Sequence, residues 1–474
     1  MSALAAVALA IVTQNPVALR AAPKQAALQQ ATLWQGEVLE VRGSRGDYLS
    51  VYDHRLERGG YVRATQVREI GLTPEAAPAL LAVVRFLRET PGAEALGISY
   101  GAAFLKAAPA SDITPEIFDA LGGMAERLAA RASKPGTGKS AADSLAASLD
   151  IAAQSGIRMS TLERDGQMLF CYDGDLYKRV LEMPAADAPQ RARAALALTR
   201  HDCVDPALGP TDRRQLDLWR AEVLGRVPAV GLDAVMLNRI HARQAGVLAE
   251  VAYWQARSGA ADGAAIAAQL ESRAIAELAT VKKSALDGED VDAYADAAIR
   301  VGASRPAATL GTRPAGKLVL QTTAGSAGQT CVALYPAQAV LDTPLAHRCT
   351  YGMVWTSSAN ANVTGTALAL AVQPLVGWRE LWIFHQTGSG WSIDVLPPGT
   401  DDPELGYVEC AGWTPDSRLL VAREVLSGGH YRRRFEVLDP ATLRVRQQAS
   451  TPELLSSFVR WQDPAWRRTT VAVR

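Results

Sequence analysis

Hydrophobic periodicity changes twice along this chain, so no single repeat of strands or of helices accounts for it. Up to about residue 72, and again beyond 316, apolar and polar residues alternate as in strands with one buried face. Between those limits apolar residues return every three or four positions, the stripe of an amphipathic helix. With 474 residues and 48% hydrophobic content, the chain has material for roughly three cores of ~150 residues each. We therefore expect a multidomain α+β protein. Its parts are an all-β unit over 11–72, a helical domain with one hairpin over 73–301, a linker over 302–316 and an antiparallel β domain over 317–474.

The first unit reads as short strands at Val17–Arg20, Val38–Val41, Tyr48–Tyr52 and Gly60–Val62, with Gly36, Gly43 and Gly46 at the turns. Ala18, Leu19, Arg20 and Pro23 are followed by Leu33, Gly36, Val38, Leu39, Val41 and Gly43. Tyr48, Leu49, Val51, Tyr52, Gly60, Tyr61, Val62 and Val67 complete a pattern that resembles a bacterial SH3-like (SH3b) domain. The resemblance implies a small barrel that binds wall, peptide or protein ligands without chemistry of its own. The candidate binding residues are Tyr48, Tyr52 and Tyr61 along one side of a groove, with Trp34 nearby. Tyr48 and Tyr52 share a strand parity, so a core position for both is the alternative.

Helical spacing begins at Thr73, with Pro74 at the first turn and Leu80, Val83, Val84 and Leu87 on one stripe. The same logic predicts helices over 114–131, 140–154, 189–199, 211–224, 232–257, onward to about 283, and 291–299. A hairpin pairs 157–162 with 167–172 around Asp165 and Gly166. Residues 302–316 carry three glycines, two prolines and no helical stripe, which reads as the linker.

Seven of the ten tryptophans lie between Trp355 and Trp466. Trp355, Trp413 and Trp461 each introduce a polar turn and an apolar strand, ending in Ala367–Val372, Leu419–Ala422 and Thr469–Val473. Together with Leu381–Phe384 and Phe435–Asp439 these phrases resemble β-propeller blades. The pattern implies a partial propeller with one tryptophan per repeat wedged between sheets, its open edges covered by the helices or by a second copy of the chain. A twisted sandwich is the alternative.

Five cysteines fall as two local couples, Cys171 with Cys203 and Cys331 with Cys349, leaving Cys410. Bridged couples point to an oxidising compartment such as the periplasm or cell envelope; buried thiols in a cytoplasmic protein are the other reading. Residues 2–12 are apolar and end near Ala8 and Ala10 in a small-x-small pattern, without a preceding basic residue. Residues 1–10 are read as a truncated signal peptide, the alternative being a first strand over Ala6–Thr13. The run is too short to span a membrane.

Forty-nine basic and forty-nine acidic residues leave no net charge, which argues against nucleic acid as a partner. Gly136, Gly138, Lys139 and Ser140 mimic the end of a phosphate loop, but the residues before them are helical. Gly97, Ser99 and Gly101 match a nucleophile elbow without the strand that must launch it. The six histidines show no ligand spacing, and His201, Asp202, Cys203 and Asp205 read as a loop beside a crosslink. No cofactor or metal is expected. Arg432, Arg433 and Arg434, with Trp461 and Trp466 downstream, form the only basic and aromatic concentration; Arg433 and Trp466 are its candidate ligand contacts, a solvated strand the alternative. The expectation is a non-catalytic exported envelope protein that binds or scaffolds a protein or peptidoglycan ligand. A cell-wall or peptide hydrolase targeted by its SH3-like part is the alternative.

Overall fold

The computed structural model describes residues 8–134, 136–164, 166–306, 317–326, 328–337, 343–400 and 403–473. The chain is mixed α+β, with an N-terminal antiparallel sheet, a helical middle and C-terminal sheets. It forms two compact units: one runs to Ala207 and includes Val227–Leu232, and the other comprises Leu208–Arg226 and the chain from Asp233. No helix among the described residues is long and apolar enough to cross a membrane.

The first unit opens with β1 (Ala8–Val12), β2 (Val17–Arg20), β3 (Gln29–Leu33), β4 (Val38–Arg45), β5 (Tyr48–Asp53), β6 (Arg58–Arg63) and β7 (Val67–Ile70). Their order is β3-β2-β6-β5-β4-β1-β7. The expected closed barrel does not form among the described residues, because β1 pairs with both β4 and β7 and the sheet ends at β3 and β7. Ala10 and Val12 join Val17, Leu19, Leu33, Leu39, Val51 and Val62 in the sheet's own core, while Ile11 points into the helices. The residues read as a cleavage signal, Ala8–Ala10, thus belong to a paired strand; residues 1–7 lie outside the described residues.

The helices of this unit are α1 (Ala77–Arg88), α2 (Glu94–Ala107), α3 (Pro115–Ser133), α4 (Lys139–Gln154), α5 (Asp175–Glu182) and α6 (Ala188–Leu198). The expected hairpin forms as β8 (Met159–Arg164) and β9 (Gln167–Tyr172), its first strand two residues later than the 157–162 expected and its Asp165 outside the described residues. Neither α2 nor α5 is anticipated by periodicity. Buried residues lie on all sides of α2, so it has no polar stripe to reveal it. The sheet meets α2 at Gly36, whose φ of +98° and lack of a side chain allow backbone contact: a Cβ there would lie 2.9 Å from the Ala95 carbonyl.

The second unit begins with α7 (Pro210–Gly225), α8 (Ala234–Arg257), α9 (Gly263–Thr280) and α10 (Gly288–Ser304). Arg220, buried between α7 and α8, donates to Asp217 at 2.8 Å and to Glu250 at 2.9 Å, and Arg300 bonds Glu250 at 2.6 Å. Helix α10 continues through Gly302, where the expected linker starts. That glycine packs on Tyr407, whose ring would stand 2.3 Å from an added Cβ, so it is a packing position rather than a break. Residues 307–316 lie outside the described residues.

Strands β10 (Leu318–Ala324), β11 (Thr330–Pro336) and β12 (Ala346–Thr350) form one sheet. The next two sets are four-stranded meanders: β13 (Met353–Ala361), β14 (Ala367–Leu375), β15 (Trp378–Thr387) and β16 (Gly390–Leu396), then β17 (Gly406–Trp413), β18 (Leu419–Ser427), β19 (His430–Leu438) and β20 (Val445–Ala449). Two parallel register pairs, Trp378 with Gly406 and Arg379 with Tyr407, join β15 to β17. Alternation on β14 and β15 buries both faces: Leu368, Leu370, Trp382 and Phe384 meet the three-stranded sheet, while Ala369, Leu381 and Ile383 meet Val408, Leu419 and Val421 of the second meander. The result is stacked sheets, with no closed propeller ring among the described residues.

Trp355 and Trp413 pack between the two meanders, but the third tryptophan phrase departs from the expected repeat. Short helices α11 (Ser456–Trp461) and α12 (Pro464–Thr469) replace the strand expected at Thr469–Val473. Asp463 accepts from the Ala465 N–H and Pro464 occupies the first helical turn, so local capping favours a helix there. Trp461 is 43% exposed and is not equivalent to the other two, whereas Trp466 fills the core beneath Phe435 and Phe458.

Candidate functional site

Strand β5 sends Leu49 and Val51 into the sheet core and therefore Tyr48, Ser50 and Tyr52 to the opposite face. Register carries that face across the sheet: Ser50 stands opposite Tyr61, Tyr48 opposite Arg63 and Arg45, Tyr52 opposite Glu40, and Tyr61 opposite Arg20. The three tyrosines thus share a face with several arginines. Tyr48 is its floor, 7% exposed beneath the Arg63 guanidinium at 5.6 Å. Tyr52 and Tyr61 are half-buried.

Tyr52 is framed by charge. The Arg42 guanidinium lies 3.9 Å from its ring centroid and the His54 ring meets it edge-on at 4.9 Å. Glu40 accepts from Arg42 at 3.0 Å and bonds the His54 ring at 2.6 Å, contacts that hold its carboxyl below the usual range. Trp34 does not join this group. It follows β3 at the Val17–Leu33 end of the β2–β3 hairpin, whereas Tyr61 pairs at Arg20, the other end.

The same unit holds a buried acid. Glu37 binds Arg55 at 2.6 Å, yet burial outweighs that attraction and pushes its carboxyl up to about 7. Asp53 accepts from the Arg55 and Leu56 N–H groups at 2.9 and 3.2 Å and so shapes the β5–β6 loop.

The second candidate group is dispersed among carboxylates. Arg433, on β19, pairs with Glu424 at 2.5 Å. Trp466 is fully buried, and its indole N–H donates to Glu409 at 2.9 Å, with Thr470 bonding the same carboxylate oxygen at 2.7 Å. Trp466 therefore presents no accessible ring face.

The motif resemblances resolve into packing. Gly97 and Gly101 lie in α2, where added Cβ atoms would strike Met124 and Leu121, and Ser99 is buried with its hydroxyl donating to the Gly36 carbonyl at 2.6 Å. Gly138 and Lys139 begin α4 after the helical α3, and Pro135 lies outside the described residues. Cys171 and Cys203, and Cys331 and Cys349, have their sulfurs at disulfide distance, 2.08 and 1.97 Å. Cys410, half-buried in β17, is the cysteine outside both pairs.

Arg42, Arg45, Arg63 and His54 are the members of the tyrosine face that sequence reasoning misses. Parity links residues within one strand; only the register, shifted at Val41 and Gly43, brings these to Tyr48 and Tyr52. Comparisons with protein-family models, curated proteins and solved structures find no match to this chain.

Proposed function

We propose that this chain is an exported, non-catalytic binding protein of the cell envelope, and that its N-terminal sheet is an SH3-like module for a protein or peptidoglycan ligand. One observation carries the reading: Tyr52 and Tyr61, flanked by Arg42 and Arg63, line the face turned away from the sheet's apolar core. Flat tyrosine rings supply contact area at little entropic cost, and guanidinium groups recognise carboxylates, which both peptides and wall stem peptides carry. Two cysteine pairs at bonding distance support export. The stacked meanders are read as propeller-like blades that scaffold the binding module. The hydrolase reading gains nothing from the Gly97–Gly101 segment, since Ser99 is enclosed.

The test is co-sedimentation of the full chain with purified peptidoglycan and capture from an envelope extract. Tyr52→Ala and Tyr61→Ala are expected to weaken binding roughly tenfold each, a hot-spot loss, with unchanged melting temperatures. Wild-type binding by both folded variants would refute the assignment of this face.

A further inference from the structure

Spacing along the chain assigns no ligand set to the histidines, but pairing within the β10–β12 sheet does. Its register sets Cys331 directly opposite Cys349 and Ala333 opposite His347. Alternation therefore puts Cys331, His347 and Cys349 on one face, while Val332 and Leu334 turn to the apolar core on the other. On that face the two sulfurs and a ring nitrogen of His347 all lie within 4.8 Å of one another. Nε2 of His347 is 3.6 Å from Cys349 Sγ. Cys331 is buried, Cys349 half-buried and His347 exposed, so the cluster grades from core to solvent. Gly325 leaves room over the inner sulfur: a Cβ at that position would come within 2.8 Å of Cys331 Sγ.

We propose that the Cys331–Cys349 bridge is the closed, oxidised form of a redox-gated site for a soft d10 cation, Zn²⁺ or Cu⁺, held in the reduced chain by both sulfurs and His347 Nε2. A dithiol reductant opens it: the Cys331–Cys349 bond breaks, the reductant's two thiols join as a disulfide, and their two protons pass to the protein sulfurs. The cation then displaces those two protons as it takes the two thiolates, and the imidazole donates a lone pair without losing a proton. Two soft sulfurs and one imidazole select d10 cations over hard ones such as Mg²⁺ or Ca²⁺. Three protein ligands leave a tetrahedral ion one position for water. While bridged, the sulfurs carry no thiolate charge and the site does not form. Bond formation and cation binding are thus mutually exclusive uses of the same two atoms.

The experiment uses the full chain, reduced with a phosphine, desalted under nitrogen and titrated with Zn²⁺ or Cu⁺ against a chromophoric chelator. The reduced chain is expected to take up one equivalent more than the oxidised chain, and X-ray absorption should report sulfur at about 2.3 Å and nitrogen at about 2.0 Å. That equivalent should persist in the Cys171→Ser, Cys203→Ser variant and vanish in Cys331→Ser, Cys349→Ser. His347→Gln keeps both sulfurs and the bridge, so it separates ligation from folding; its affinity should fall roughly tenfold or more, as for loss of one of three ligands. Equal uptake by oxidised and reduced chains, retention of the equivalent without Cys331 and Cys349, or unchanged affinity in His347→Gln would each overturn the proposal.

Discussion

At the scale of single residues, five positions separate the exposed Trp461 from the fully buried Trp466, and composition treats them alike. Removing Trp466 leaves a cavity among Phe435, Phe458 and Ala411 and strips a donor from Glu409, so Trp466→Ala should cost about 3–5 kcal/mol. Trp461→Ala should stay within about 1 kcal/mol of the parent, as surface truncations do. Trp355 and Trp413 fall between these, since both pack between the meanders and donate, to Gln373 and to the Asn360 carbonyl, at 3.2 Å each. Thermal melts of the four variants check that order; a large loss at Trp461 would restore the three-fold repeat. Tyr48 makes the same point in the sheet. Its parity is legible and correctly sets it with Tyr52, but the depth of burial under Arg63 depends on a neighbouring strand.

Among elements, those most enclosed were the hardest to read. Strand β1 is apolar without alternation because Ala10 and Val12 face one core and Ile11 another, and such a run has the composition of a signal-peptide h-region. Helix α2 carries no legible stripe for the equivalent reason, whereas the apolar spacing of α1 and α3 is legible from sequence. The contact between these enclosed elements is testable. Gly36→Ala places a Cβ against the Ala95 backbone at a φ favourable only to glycine, and should destabilise the first unit by about 2–4 kcal/mol. Ser99→Ala removes one buried donor from the Gly36 carbonyl and should cost about 1–2 kcal/mol. Urea titrations give both values; a Gly36→Ala chain as stable as the parent would mean that α2 and the sheet are not in backbone contact.

For the whole molecule, burial of acids dictates how stability follows pH. Burial pushes the carboxyls of Glu37 and Glu271 up to about 7, and burial together with the neighbouring Glu250 raises that of Asp217. In the unfolded chain, exposed carboxyls lose their protons at their ordinary values of about 4. Between those values and the folded ones the native state holds more protons than the unfolded state, so stability declines as pH rises from about 4 to 7. For Glu37 the decline is about 3 kcal/mol, and Glu37→Gln should flatten that part of the profile in urea midpoints measured from pH 5 to 8. An unchanged slope would show that Glu37 is not the titrating group. The join between the two meanders bears on a different matter, the order of assembly during synthesis. Every ladder within a meander links strands adjacent in sequence, so the first meander can pair as soon as Leu396 has emerged. The Arg379–Glu409 charge pair beside the β15–β17 join is different, because Glu409 also accepts from Trp466 and Thr470, far downstream in the chain. A chain halted on the ribosome before Trp466 would hold both meanders' strands and still carry a carboxylate lacking those two donors, which makes sealing of the join one of the last steps of folding.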